Sequence, residues 1–153
     1  MLNKICTYLA SLGPIGTMPA GGTIASLVTV IFAWFITPYV TTWYYFLPFL
    51  AGASLLIIDQ SLKHYDEPDP STIVLDEVIG MLCALCALPH FLLVSTIAFF
   101  FFRILDILKP WPLRTAERLP GACGVLSDDI LAGISACGIT HLLLWAFSTM
   151  GCS

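Results

Sequence analysis

Charge is what this sequence has least of. Only 10% of its 153 residues are Asp, Glu, Lys or Arg, against 58% hydrophobic. Soluble domains carry about 25% charge. No acidic or basic residue lies between Lys4 and Asp59, between Glu77 and Arg103, or after Asp129. Apolar stretches of that length argue for an integral membrane protein. They argue against a soluble helical core, because several of the implied helices have no polar face. Basic residues are scarcer still. Six Lys and Arg with a net charge of −4 are too few to grip nucleic acid, so no such partner is expected. The N-terminus does not read as a signal peptide, since only about eight residues separate Lys4 from Gly13-Pro14. The six cysteines show no disulfide framework. Cys83 and Cys86 form a C-x-x-C, but inside an uncharged run with no second pair, and they read as small buried apolar side chains. His64, His90 and His141 lack zinc-ligand spacing, and no P-loop or dinucleotide fingerprint occurs. No internal repeat or low-complexity segment stands out, and the length predicts one domain, 1–153.

What is present is a set of long apolar runs separated by short polar stretches. The pattern predicts an all-α, polytopic membrane bundle of about five membrane-penetrating helices. Residues 10–22, ASLGPIGTMPAGG, read as a structured loop. A helical hairpin is predicted from Thr23 to Ile36 and from Trp43 to Ile58, with Pro48 expected to kink the second arm. Trp34, Tyr39, Trp43, Tyr44 and Tyr45 gather at its connection, as interface aromatics do. Asp69-Pro70 reads as the cap and first turn of a helix to about Leu88. A further helix runs from Phe91 through Arg103 to about Leu108. Each has about 18 residues, or roughly 27 Å, marginally long enough to cross a bilayer core. Val78–Phe102 could instead be a single span, with Glu77 and Arg103 on opposite sides. Pro89 favours two helices with a turn at Pro89-His90. Ser127 could cap a last helix, Ile130 to Phe147. With five such helices, Lys4, Lys63, Arg103, Lys109, Arg114 and Arg118 all fall on one side, which the positive-inside rule makes cytoplasmic.

The few ionisable residues carry the chemistry. Asp76 and Glu77 are placed well inside an apolar segment, where such groups are usually functional. Gly80, one turn beyond Asp76, would let another backbone or a head group come close. Arg103, Asp106 and Lys109 repeat every three residues on one helical face, which suits either an ion-pair ladder or a phosphate clamp. Asp128 and Asp129 read as acids at a helix N-terminus, followed one turn later by Ala132 and Gly133, which permit close helix approach. If these five acids converge, they repel one another unless a cation is bound, and oxygen-only ligands favour magnesium, calcium or manganese. The glycine-rich loops at 13–22 and 121–124 could offer backbone N–H groups to phosphate oxygens. Acids for a divalent cation, bases for an anion and a site at the membrane surface together suggest a phospholipid substrate. Phosphate-ester hydrolysis by metal-activated water fits, as does phosphotransfer between lipids.

Three ordered motifs carry a resemblance. They are D-P-S-T-I-V-L-D-E-V-I-G at 69–80, F-R-I-L-D-I-L-K-P-W-P-L-R at 102–114 and L-P-G-A-C-G-V-L-S-D-D-I-L-A-G at 119–133, joined by the loop G-P-I-G-T-M-P-A-G-G-T-I-A-S from Gly13. Over nearly its whole length the chain resembles the phosphatidylglycerophosphatase A family. Ala20 and Gly21 separate Pro19 from Gly22-Thr23, and Ala122 follows Gly121, where the family's usual pattern differs. The resemblance implies a magnesium-dependent phosphatase of the bacterial inner membrane, multi-pass, with its site facing the cytoplasm. It would convert phosphatidylglycerophosphate to phosphatidylglycerol and inorganic phosphate, the last step of phosphatidylglycerol synthesis. Asp76, Glu77, Asp106, Asp128 and Asp129 match the family's acids, and Arg103, Lys109 and Arg114 its basic positions. The expected roles are Glu77, Asp128 and Asp129 as magnesium ligands, and Asp76 or Asp106 as a further ligand or the base that orients water. Asp76, Glu77, Asp106 and Asp129 are the expected catalytic residues, and Arg103, Lys109 and Arg114 bind the phosphate. No C-x5-R or D-x-D-x-T nucleophile motif occurs, so direct attack by water is preferred to a covalent aspartyl-phosphate. Two other classes compete: a lipid phosphotransferase acting on CDP-linked alcohols, whose longer acidic array is missing here, and a non-catalytic lipid-binding or transport protein. A transporter is expected to place ionisable groups near mid-membrane.

Overall fold

Long uncharged runs leave the backbone few side-chain partners, so its polar groups are satisfied within helices. The computed structural model describes residues 2–36, 43–65 and 70–150, and among them it is all-helical, with no strand. Its α-helices are α1 (Leu2–Ala10), α2 (Gly21–Ile36), α3 (Leu47–Leu62), α4 (Leu75–Ala84), α5 (Leu92–Leu108), the short α6 (Leu113–Ala116) and α7 (Ala122–Met150). The central α4 packs on α7, α2, α3 and α5; α7 also contacts α5, α3 and α6, and α1 lies against α3. Phe102, Ile58, Met81 and Val74 are fully buried. By contrast Phe35, Phe49, Leu93, Phe100, Leu142 and Trp145 are each more than half exposed on the outside of the bundle. A water-facing surface would not carry so many large apolar side chains, whereas lipid accommodates them. Among the described residues, two helical stretches are long and apolar enough to cross a membrane, Trp43–Leu62 and Ala122–Thr149.

Several expected boundaries move. The break between α4 and α5, at 85–91, confirms two helices and not a single span over Val78–Phe102. The first of the pair is shorter than expected. It starts at Leu75, not at Asp69-Pro70, because Ile73 N–H turns back to the Pro70 carbonyl (2.9 Å) and Val74 N–H bonds the Ala10 carbonyl (2.9 Å). Asp69 and Tyr39 lie outside the described residues. At 10 residues α4 covers about 15 Å, half a bilayer core. Asp76 and Glu77 therefore sit in its first turn, not well inside the helix as a start at Asp69-Pro70 would place them. The last helix is longer than expected. Gly121, at φ 60°, lets the chain turn into α7 at Ala122, so Ser127 is an interior residue and not a cap; its Oγ lies 3.4 Å from the Ala116 carbonyl. Asp128 and Asp129 are inside the helix rather than at its start. Pro48 stands in the first turn of α3, where proline fits without a kink. Helix α1 is an addition to the elements expected from the residue pattern.

The bundle has two chemically different ends. At the aromatic end, the His90 ring stacks on Trp34 with centroids 4.0 Å apart, and its Nε2 lies 2.9 Å from the Trp34 carbonyl. At the other end, the start of α2 meets Glu77 of α4 and Arg103 of α5.

The tightest crossing is between α4 and α7. A Cβ added at Gly80 would lie 2.7 Å from the Asp129 carbonyl oxygen and 2.7 Å from the Phe102 ring, and one at Gly133 would collide with the Gly80 carbonyl oxygen. Gly80→Ala is thus expected to lower stability by about 1–3 kcal/mol through overpacking. Gly52, with nothing within 4 Å of its added Cβ, should tolerate Ala with no loss. Thermal unfolding in detergent compares the two; equal shifts would refute the packing account.

Candidate active site

The charged end of the bundle encloses an open cleft of about 720 Å³. Asp76 and Glu77 of α4, Arg103 and Asp106 of α5, Lys109 just beyond it, and Asp128 and Asp129 of α7 all line it. The 16–22 loop and Ser71–Ile73 complete the wall. Of the eight residues expected to form the site, seven meet here. Arg114 does not; it lines a neighbouring groove with Trp111 and Arg118.

Position within the helices explains the convergence. Asp76 and Gly80 are one turn apart on α4, as are Asp129 and Gly133 on α7. The glycine crossing therefore brings the two acidic pairs together one turn further along. Ligand oxygens of Asp76, Glu77 and Asp129 lie within 4.8 Å of one another, and so do those of Asp106, Asp128 and Asp129. Asp129 belongs to both groups. It is only 3% exposed, and its Oδ2 is buried with no hydrogen-bond partner, as is Glu77 Oε2. A Cβ at Gly22 would collide with Glu77 Oε1, so glycine lets the start of α2 come close to this carboxylate. Ala20, beside it, has φ 59°, a left-handed conformation that glycine adopts more readily.

The cations answer part of this charge. Arg103 Nη1 donates to Asp106 Oδ2 at 2.8 Å, while its Nε is buried without an acceptor. Arg103 also approaches Ser26 Oγ at 3.5 Å. Lys109 does not continue the ladder to Asp106. It ends α5 in a left-handed conformation, φ 43° and ψ 60°, and its ammonium donates to Asp128 Oδ2 at 2.6 Å and Glu117 Oε1 at 2.8 Å. Partial burial works against the Lys109 charge, but hydrogen bonds and attraction from Asp128 and Glu117 outweigh it and hold its pKa above the ordinary lysine value. Five carboxylates against two cations leave an excess of acidic groups in the cleft. An all-oxygen donor set with buried, unpartnered oxygens fits a hard divalent cation such as magnesium.

Ser26, Ser71, Thr72 and Glu117 were missed by sequence reasoning. Reading 70–88 as one helix hid Ser71 and Thr72, and nothing local marks Ser26 or Glu117. The 121–124 glycines do not line the cleft; a Cβ at Gly124 would collide with the Leu119 carbonyl oxygen, so that glycine serves packing. His64, His90 and His141 do not line it either. The described cysteines are free thiols.

Fold and site together define a helical membrane protein with an acidic cleft at one end of an apolar bundle. The profile of the phosphatidylglycerophosphatase A family matches residues 8–144, and the chain belongs to that family. It is 35% identical over 127 residues to the phosphatidylglycerophosphatase A of Escherichia coli (strain K12), covering 80% of this chain and 73% of that protein. The Haemophilus influenzae (strain Rd) protein of the same name is 41% identical over 70 residues, 44% of this chain and 43% of its own length. A Bacteroides thetaiotaomicron protein whose name proposes phosphatidylinositol-3-phosphatase is 37% identical over 82 residues, half of each chain. No solved structure matches.

Removing Lys109 leaves Asp128, 5% exposed, without its ammonium. Lys109→Met is expected to cost about 3 kcal/mol, the low end for a broken buried pair. A raised folded-state lysine pKa contributes stability that is fully present below the unfolded-state value and is lost as pH rises through the folded one. The stability gap between wild type and Lys109→Met should therefore stay level from about pH 7 to 10 and shrink above that. Unfolding curves across pH measure it; a gap that closes below pH 9 would contradict the assignment.

Proposed function

We propose that this chain hydrolyses the terminal phosphate monoester of phosphatidylglycerophosphate, releasing phosphatidylglycerol and inorganic phosphate, and that it requires magnesium to do so. The observation that carries this reading is the shared position of Asp129 in two overlapping carboxylate groups, beside two cations, in a chain of this family.

Magnesium would be held at Asp129, by Glu77 and Asp76 on one side or by Asp128 and Asp106 on the other, since Glu77 and Asp128 fall in different carboxylate groups. When bound, it supplies positive charge to polarise the phosphate and to favour ionisation of nearby water. The chain's own residues do the remainder. Arg103 and Lys109 hold the monoester oxygens and balance charge that builds as the phosphoryl group transfers. Whichever of Asp76 and Asp106 is not a ligand orients the attacking water and takes its proton. The water oxygen bonds to phosphorus, the phosphorus–oxygen bond to glycerol breaks, and the glycerol oxygen leaves with a proton. Gly22, at the start of α2, lies close against Glu77.

We read the site as cytoplasmic, in a multi-pass protein of the bacterial inner membrane. The α4–α5 pair would dip into the bilayer with its break at the far, aromatic end. In that arrangement all six basic residues share one side. The Bacteroides relative's name supports a second substrate, a phosphoinositide. Both lipids carry a phosphodiester near the glyceride and a monoester further out.

Purified protein is expected to release phosphate from phosphatidylglycerophosphate with magnesium and to stop on chelation. Asp129→Asn and Glu77→Gln should each reduce turnover about 100-fold or more, given the several kcal/mol that metal and charge stabilisation supply. Wild-type turnover in both variants would refute the site. Faster hydrolysis of phosphatidylinositol 3-phosphate would favour the second substrate.

A further inference from the structure

The acidic cleft has a neighbour. Lys109 also borders a groove of about 380 Å³ formed by Leu108, Pro110, Trp111, Arg114, Thr115 and Arg118. Half of the chain's six basic residues thus border one small groove. Among the described residues, neither Arg114 nor Arg118 belongs to an ion pair, although both are exposed and Glu117 stands between them in sequence. Glu117 instead turns to Lys109. One wall is apolar and open: Leu108 is 66% and Trp111 84% exposed. An exposed Trp beside arginines is what the head-group layer of a membrane favours.

We propose that this groove binds the phosphodiester of the lipid whose monoester is hydrolysed in the acidic cleft. The proposal rests on the function above and extends it to substrate selection. The two phosphates of phosphatidylglycerophosphate are joined by a glycerol, so they need adjacent sites and cannot share one. The acidic cleft suits the monoester, where a cation can bridge acids and phosphate. A groove with two arginines and no carboxylate in its lining suits a singly charged diester, which needs neutralising and no metal. Lys109, at the boundary, fixes the spacing between them. The diester is also the phosphate nearer the acyl chains, which places it beside Trp111 and Leu108. Arg114, matched by resemblance to a phosphate-binding position, thus serves the phosphate that stays on the lipid.

The two products report the two sites separately, since phosphatidylglycerol has the diester alone and inorganic phosphate stands for the monoester. Arg114→Gln/Arg118→Gln, both at exposed positions, should raise KM for phosphatidylglycerophosphate about tenfold with kcat little changed, as expected for losing charged hydrogen bonds made equally in ground and transition states. Inhibition by phosphatidylglycerol should weaken by a similar factor, and inhibition by inorganic phosphate should not move. Arg114→Lys/Arg118→Lys should recover part of the loss. The assay is run in neutral detergent micelles. An unchanged KM, or equal weakening of both product inhibitions, overturns the proposal. So does a KM effect that appears only when other anionic lipids are added, because the groove would then hold a neighbouring lipid. A wild-type protein inactive on phosphatidylglycerophosphate would instead overturn the function proposed above.

Discussion

The site depends on two glycines facing each other across α4 and α7. Gly80 and Gly133 have no side chains to hold the helices apart, so the Gly80 carbonyl and the Asp129 carbonyl each lie where a Cβ would otherwise be. In a membrane, where apolar burial gives helices little reason to choose one another over lipid, such close backbone packing is a main source of association. The consequence appears one turn away, where Asp76 and Glu77 are forced against Asp129. Those carboxylates would separate if they could. Apolar contacts of Met81, Phe102, Ala132 and Ala136 around the crossing hold them in place. Packing, which carries no charge, thus determines where charge is concentrated.

This division of labour explains what was legible in the sequence. In a chain with so little charge, each carboxylate is conspicuous, and Asp76, Glu77, Asp106, Asp128 and Asp129 stand out from the residue pattern alone. The glycines beside them were legible for the same reason, as small residues one turn from acids. Helix starts were not legible. Asp69-Pro70 and Ser127 are sound local capping signals, yet Val74 gives its N–H to Ala10 and Gly121 opens α7 early. Both outcomes depend on contacts or backbone conformations that a local reading does not contain. Arg114, matched by resemblance, borders a neighbouring groove instead of the cleft because the chain changes direction before it. The spacing of Arg103, Asp106 and Lys109 holds only while the helix lasts, and Lys109 ends it in a left-handed turn.

That turn joins strain to function. A non-glycine residue in the left-handed region costs about 1–2 kcal/mol. At Lys109 it accompanies two ion pairs, to Glu117 and Asp128. It also redirects the chain so that one ammonium borders two grooves.

The arrangement is consistent with catalysis by pre-organisation. Charged groups that must reorient during a reaction lose much of their effect to the cost of moving, whereas groups already fixed do not. Here Arg103 is held by Asp106, Lys109 by Asp128 and Glu117, and the carboxylates by the helix crossing. What the cleft lacks in this resting balance is positive charge, since its acids outnumber its bases. The divalent cation proposed above would offset that excess. On the proposed reading the cation shields acids that an incoming phosphate monoester would otherwise meet. Binding of the two would then be coupled for electrostatic reasons, because each offsets charge that opposes the other in a cleft whose carboxylates are largely buried.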